Sequence, residues 1–363
     1  MSETRSRLLT GDNPFGVAAD HYQRCQTPDY SDFMWSETHY WSVWSPVDNT
    51  GVYIHMGTTP EDADLWWAQV FAFLPDGRTL IDRCWGRSAD RHGPNAGNFR
   101  AISPSLGHWV LSYDGAGELC TGDDIITGIR GAGPAIPFRF EVALAPAMPV
   151  WDLFKATSIG ERDWSGCHHE QVHSCTGWLE VAGSQGGRYS LDHGGSFRDH
   201  SHGHRDFGHL GGDHLGGWYF PESKRAVQLL HMWTFDGKVE ISAASIYEDG
   251  QLELIEPVFV TGIDQEPPRS LTHLSGEPKR LEMVLQRASG ETVTAVLEAQ
   301  HLVVMSNTSP NTNLNGAAIG MDGLLLCETP MTMTWPDGEV GYGHLERGYR
   351  EHLLPDGALT PRA

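Results

Sequence analysis

The sequence predicts an all-β protein built of antiparallel hairpins, in sandwich or barrel form. Three observations carry that reading. Turn signals recur along the chain: Pro-Asp-Gly at Pro75, Pro336 and Pro355, and Asp-Gly at Asp114, Asp236, Asp249 and Asp322. They separate short segments of alternating or β-branched character, and Asp-Gly between such runs is the sequence form of a tight hairpin. Helical periodicity is scarce.

In chain order the strand segments begin with HYWSVWS from His39, GVYIHMG from Gly51, AQVFAFL from Ala68 and RFEVALA from Arg139. GWLEVAG from Gly177, AVQLLHMWTF from Ala226, KVEISAASIY from Lys238, ETVTAVLEAQHLVVM from Glu291 and MTMTW from Met331 follow. Only PFGVAADHYQRC from Pro14 and MPVWDLFKAT from Met148 read as short helices. The strand rhythm breaks over 145–165, with a comparable Trp-rich series on each side. That break places one β-barrel-like domain at 1–155 and a second at 156–363. A chain of 363 residues exceeds the usual single-core size, in keeping with two such units.

Composition narrows the function classes. The net charge of −22 is spread without any basic block, a field that repels phosphate backbones and anionic lipid. Nucleic acid and membrane insertion are therefore not expected. No apolar run approaches a membrane span, and the opening MSETRSRLLTGDNPFG lacks the regions of a signal peptide. Cys25, Cys84, Cys120, Cys167, Cys175 and Cys327 form no CxxC pair and read as reduced thiols of a cytoplasmic protein. Thirteen tryptophans call for a core or a binding cavity of large aromatic area. The expected partner is a hydrophobic small molecule, and a homodimer is the one protein assembly expected.

The chemistry concentrates in SFRDHSHGHRDFGHLGGDH, residues 196–214, with five histidines, three aspartates and two arginines. Strand alternation over 198–206 puts Arg198, His200, His202, His204 and Asp206 on one face. Asp199, Ser201, Gly203 and Arg205 fall on the other. Three imidazoles at two-residue spacing are ligand types for zinc, iron or nickel, with Asp206, His209 or His214 as a fourth. Same-face residues stand about 6 to 7 Å apart, however, and converge only on a strongly bent strand. The reading is therefore no metal and no other cofactor.

An acid/base site is more economical, because a carboxylate beside an imidazole in a half-buried β cavity gives two groups with separable pKa values. His200 is the leading base or acid, with either Asp199 or Asp206 as partner; simple alternation favours Asp206. Arg198 and Arg205 either orient neighbouring carboxylates or pin a strand end. GCHHEQVHS, residues 166–174, adds Glu170, at a spacing that is not the zincin HExxH. In MWSETHYWSVWSP, Trp35, Glu37, His39 and Trp41 share a face, and a Glu and a His between two tryptophans are costly there unless they line a pocket. The candidate catalytic residues are thus Asp199, His200, His202, Asp206, Glu170 and Glu37. The candidate substrate contacts are Trp35, His39, Trp41, Trp218, Trp233, Arg198 and Arg205, with the four tryptophans supplying most of a cavity wall.

HHEQVHSCTGWLEVAG and RYSLDHGGSFRDHSHGHRDFG together resemble the bacterial lipocalin-like proteins related to carotenoid 1,2-hydratase (hydroxyneurosporene synthase) and the AttH-type domains. Within them the likeness is to a branch with Arg-Asp-His-Ser-x-Gly-x-Arg-Asp, matched here by Arg198, Asp199, His200, Ser201, Gly203, Arg205 and Asp206. Glu170, Gln171 and Gly177 match as well. Softer matches are SETHYW around Glu37, PDGR at Pro75, and WPDGEVGYGHLERGYR with Gly341, Gly343 and Glu346. The resemblance spans roughly residues 30 to 350 and departs at His202, where relatives often carry an aromatic residue. It implies two calycin-like β-barrels packed together, a cavity for an apolar small molecule and, in the hydratase branch, cofactor-free protonation of a carbon–carbon double bond by an acidic side chain. It also favours Asp199 together with His200.

The function expected is a cofactor-independent lyase, hydratase or isomerase using general acid/base catalysis on an isoprenoid or aromatic molecule. The alternatives are a non-catalytic lipocalin-like carrier and a metal-dependent enzyme using the His200, His202 and His204 face.

Overall fold

The structure, a computed structural model, describes residues 5–59, 61–88, 93–121, 124, 133–157, 165–183, 186–206, 209–234, 236–256, 259–261, 280–301, 303–307 and 324–350. Strands dominate it. The first are β1 (Arg5–Thr10), β2 (Trp35–Ser45), β3 (Thr50–Thr59), β4 (Asp62–Phe73), β5 (Thr79–Arg87), β6 (Asn95–Ala96) and β7 (Phe99–Ser105). Next come β8 (His108–Cys120), β9 (Ala135–Pro146), β10 (Trp151–Asp152), β11 (Cys167–Val181), β12 (Gly187–Ser190) and β13 (Gly194–His204). The remainder are β14 (Leu210–Tyr219), β15 (Ala226–Thr234), β16 (Val239–Glu248), β17 (Gln251–Glu256) and β18 (Phe259–Thr261). They are completed by β19 (Arg280–Gln286), β20 (Thr292–Ala299), β21 (Val303–Asn307), β22 (Leu324–Thr334) and β23 (Val340–Arg350). The helices α1 (Ala19–Gln23) and α2 (Leu153–Ala156) fall inside the two segments expected to be helical.

Strands β2 to β13 make one sheet, and its order β11-β13-β2-β3-β4-β5-β8 is closed by β9, which pairs with both β8 and β11. The result is a closed antiparallel ring. It has no free edge along these strands, the usual reason for closing a barrel. The second sheet runs β1-β17-β16-β15-β14-β23-β22-β20-β19-β18. Its two ends share one apolar core: Ala244, Ile246 and Ile255 pack with Leu281, Met283, Leu285 and Val293. The molecule is therefore two packed β-barrel-like units.

The change of sheet comes between His204 and Leu210, not at residue 155 as the sequence places it. The reason is pairing: β11 and β13 lie between β9 and β2 in the ring, and without them both strands would present bare edges. The motif strand β13 accordingly belongs to the first barrel. The N-terminal β1 crosses to the second sheet, where it pairs with β17.

Hairpin turns follow the chemistry of their residues. Gly77 and Gly338 of the two described Pro-Asp-Gly turns have φ of +88° and +91°, and Asp249–Gly250 has φ of +51° and +75°. Asp114 is an exception, since it lies within β8. Pro355 and Asp322 lie outside the described residues.

The two units meet closely across β13. A Cβ on Gly195 would collide with the carbonyl of Tyr342 on β23, and one on Gly217 of β14 would stand 2.5 Å from the Phe197 ring. Glycine at these positions is what lets β13 be buried on both faces.

Candidate active site

Because β13 is buried on both faces, its alternation sorts titratable groups into two clusters back to back. Arg198, His200 and His202 point into the first barrel; Asp199 and Ser201 point to the layer between the two units. Strand β2 is in register with it, Glu37 opposite His202 and His39 opposite His200. So Glu37, His39 and Trp41 join the interior set, and Thr38 and Tyr40 the inter-sheet set.

Inside the barrel, Glu37 Oε1 accepts from the Cys25 amide at 2.7 Å, His200 Nε2 at 2.9 Å and His39 Nε2 at 3.3 Å. Arg24 Nε stands 3.8 Å from the other oxygen. Burial works to raise Glu37, yet the His39 hydrogen bond and nearby positive charge hold it below the usual carboxylate value. His39 and His200 are stacked with ring centroids 3.9 Å apart, and burial drives both well below an ordinary histidine. Burial also takes His202 down to about 4. All three imidazoles are neutral at pH 7, and Glu37 fixes His39 and His200 on one side.

The inter-sheet cluster is of a different kind. His168 Nε2 lies 2.8 Å from Glu170 Oε1 and 2.9 Å from Asp199 Oδ2. Burial alone would lower His168, but the Asp199 and Glu170 carboxylates raise it to about 10. Asp199 is held low, against its burial, by His168 and Arg205. Glu170, desolvated and beside Asp199, rises to about 7.

Facing them from the second unit, Glu328 on β22 accepts from Tyr53 at 2.7 Å and from His344 at 2.6 Å, and shares a hydrogen bond with Glu346. The two carboxyl groups are driven apart. Burial works to raise Glu328 too, but hydrogen bonds from His344, Glu346 and Tyr53 keep it low. Burial and the Glu328 charge push Glu346 far above the usual range. Asp199 adds to that rise across the layer. One carboxylate and one carboxylic acid at neutral pH is the arrangement that separates a base from an acid.

The Tyr40 hydroxyl, Glu170 Oε2, both Gln228 amide atoms and Ser245 Oγ are buried in this region without a hydrogen-bond partner. Gln228 pairs in register with Gly217, whose open side meets Phe197 and Val172 of the barrel, and Ser245 pairs in turn with Gln228. Buried polar atoms without partners are uncommon in folded proteins, and here several gather in one layer.

Among the described residues, three ligand-type atoms lie within 4.8 Å of one another in two places, Glu37 with His39 and His200, and His168 with Glu170 and Asp199. In the first, the near-parallel rings (11°) run their nitrogens side by side, and Arg24 and Arg198 adjoin. In the second, the imidazolium already serves both carboxylates. The His200, His202 and His204 set does not converge, because His204 turns out to Asp32 at 2.7 Å with its side chain 45% exposed. Gly203, at φ of +123°, stands at that turn.

The sequence-derived site residues thus separate. Glu37, His39, Trp41, Arg198, His200 and His202 are interior, with Trp41 stacked 5.2 Å from His39. Glu170, Asp199 and Arg205 are inter-sheet; Arg205 reaches Thr38 Oγ1 at 3.4 Å. Asp206 is exposed beyond the end of β13, so it does not meet His200, whose carboxylate partner is Glu37. The four tryptophans share no wall. Trp35 packs with Cys25 and Ala63, Trp218 is in the core of the second unit, and Trp233 lies 4.8 Å from His214. Glu328, Tyr53, His344 and His168 were missed; Glu346 carried the one sequence signal, a soft family match.

A family model described as Domain of unknown function (DUF7064) matches residues 18–349, and the chain belongs to that family. No curated protein matches it in sequence. Among solved structures it is similar to a protein of Nitrosomonas europaea assigned as AttH, at 14% identity and a TM-score of 0.56, over 86% of this chain and 92% of that one. It is also similar to kievitone hydratase from Nectria haematococca, at 12% identity and a TM-score of 0.51, over 94% and 95% of the two chains. Likeness at such identity is one of fold alone, shared with the AttH-assigned protein and the hydratase.

Proposed function

We propose that this chain is a hydratase-type lyase that adds water to, or removes it from, a carbon–carbon double bond of a hydrophobic small molecule in the inter-sheet layer. The observation that carries the reading is the Glu328–Glu346 pair, a carboxylate hydrogen-bonded to a carboxylic acid between the two units. In hydration Glu346 gives its proton to one alkene carbon. The Glu328 and Asp199 carboxylates stabilise the positive charge that develops on the other carbon. Water adds there and gives its proton to Glu170, poised near neutrality and itself held by His168. Proton return to Glu346 resets the site, and no redox change occurs. Tyr40, Tyr53 and Phe197 bring aromatic surface to the same layer, suited to an isoprenoid or aromatic body. Likeness in fold to a protein named as a hydratase supports the reaction class.

The test is turnover of a panel of prenylated aromatic and isoprenoid trisubstituted alkenes, and of their tertiary alcohols, in D2O and H2-18O. Deuterium at one carbon and 18O at the other are expected. Saturable binding of the panel with no conversion in either direction would instead establish a carrier.

A further inference from the structure

We infer that the interior of the first barrel holds a second site, in which Arg198 takes the carboxylate of an anionic, largely apolar small molecule. Arg198 is wholly buried, with its guanidinium carbon 4.1 Å from the Tyr22 ring and 5.0 Å from that of Trp109. Nη2 donates to the Tyr22 carbonyl at 2.7 Å and to His39 Nδ1 at 3.3 Å, and the guanidinium also interacts with the Tyr22 hydroxyl. Nε and Nη1 are buried with no hydrogen-bond partner. No carboxylate comes within 4.0 Å of this guanidinium among the described residues. Glu37, the carboxylate on the same face, is already taken by Arg24, His39 and His200.

Arg24, a second buried arginine of the barrel, is better served, although its Nε too makes no hydrogen bond. Arg24 donates to the carbonyls of Ser88 and Ala63 and pairs with Asp64 at 3.2 Å. A buried cation left half-served costs several kcal/mol unless something meets it. Of the neighbouring unmet atoms, Glu37 Oε2 is turned to Arg24 at 3.8 Å and His200 Nδ1 is the free nitrogen of a ring whose Nε2 serves Glu37, whereas the indoles beside His39 offer donors. The indole N–H groups of Trp41 and Trp66, whose rings lie 5.2 and 5.8 Å from His39, are buried without partners. Four N–H-bearing nitrogens and a positive charge call for an acceptor that is an anion, and the planar guanidinium suits a carboxylate. The Tyr22, Trp41 and Trp109 rings about the guanidinium are the apolar surface that the rest of the molecule would meet. This site stands independently of the inter-sheet reaction, since Arg198 and Asp199 face opposite ways along β13.

The experiment titrates the full chain with octanoate and 4-phenylbutyrate, and with the matched alcohols, by calorimetry and tryptophan fluorescence. Saturable binding of at least one acid is expected, with its alcohol at least ~10-fold weaker, the loss of a charged hydrogen bond. Arg198→Met should weaken acid binding by a similar factor, while Glu346→Gln should leave it unchanged. The inference is overturned if neither acid saturates, if acid and alcohol bind alike, or if Arg198→Met binds as wild type. It is equally overturned if Glu346→Gln abolishes binding, which would move the ligand to the inter-sheet layer. Should Arg198→Met fail to fold, Trp66→Phe keeps an aromatic ring at the position and removes one donor. Its expected result is a few-fold weaker acid binding with unchanged alcohol binding, and equal affinity for the acid refutes the site.

Discussion

Glu346→Gln is the sharpest perturbation of the proposed chemistry. Two unit charges about 4 Å apart interact by about 4 kcal/mol at an effective dielectric of about 20, which corresponds to about three pKa units. An ionised Glu346 beside ionised Glu328 would bear that penalty, so Glu346 keeps its proton at neutral pH. Glutamine preserves the shape and one N–H donor toward Glu328, so the buried hydrogen bond survives. What it lacks is a transferable proton. Turnover should therefore fall by about 10²- to 10⁴-fold, the range for a lost general acid, with KM and melting temperature close to wild type. Glu328→Gln gives the complementary result. Without the neighbouring anion, Glu346 drops toward an ordinary carboxyl value, and the alkaline limb of the rate profile should move down by up to about three pH units. The assay is kcat and kcat/KM against pH for the alkene that the wild type converts best. A Glu346→Gln enzyme with turnover within a few-fold of wild type would refute this assignment of the acid.

Three further outcomes are expected. Glu170, raised to about 7, is protonated and idle as a base below that pH and ionised above it, so kcat/KM should rise through about pH 7; Glu170→Gln should remove that limb, and an unchanged limb would exclude Glu170 as the base. His200→Ala takes a donor from buried Glu37, so it should cost about 1 to 3 kcal/mol of stability in denaturant melts. In the same variant turnover should fall far less than in Glu346→Gln, and a loss of equal size would return His200 to the chemistry. Because His39 and His200 are both spent on Glu37 beside Arg24 and Arg198, and His204 turns away, elemental analysis should find no stoichiometric transition metal, and chelator should leave turnover intact; a full equivalent of zinc, iron or nickel would contradict this.

The sequence made much of the fold legible. Hairpin residues marked the turns at Gly77, Gly250 and Gly338, and alternation separated Arg198, His200 and His202 from Asp199 and Arg205 correctly. It also placed Glu37 and His39 with Trp41 on one inward face. The division at residue 155 failed because a break in strand rhythm reports a long connection, not the strand pairing that closes a ring. Trp218 and Trp233 failed similarly, since aromatic content says nothing about which of several buried layers a ring enters.

What alternation does not reveal is which face carries the chemistry when both faces are buried. The pattern of β13 from Gly194 to Ser201 is buried throughout, so neither face has the polar signature of solvent, and the dense imidazoles drew attention to the interior. Those imidazoles are neutral, and His39 and His200 are fixed by Glu37, whereas the groups whose proton affinities are driven apart lie behind them. Their partners come from far along the chain: Tyr53 meets Glu328 across 275 positions, and Glu328 sits in LLLCETPMTMT, a segment with no cluster to mark it. The pairing of Glu328 opposite Glu346 in register on β22 and β23 is what makes one of them an acid, and that register exists only once the second sheet has formed. A site assembled between two units thus takes its chemistry from desolvation and opposed charges at their contact, and neither strand carries that property alone.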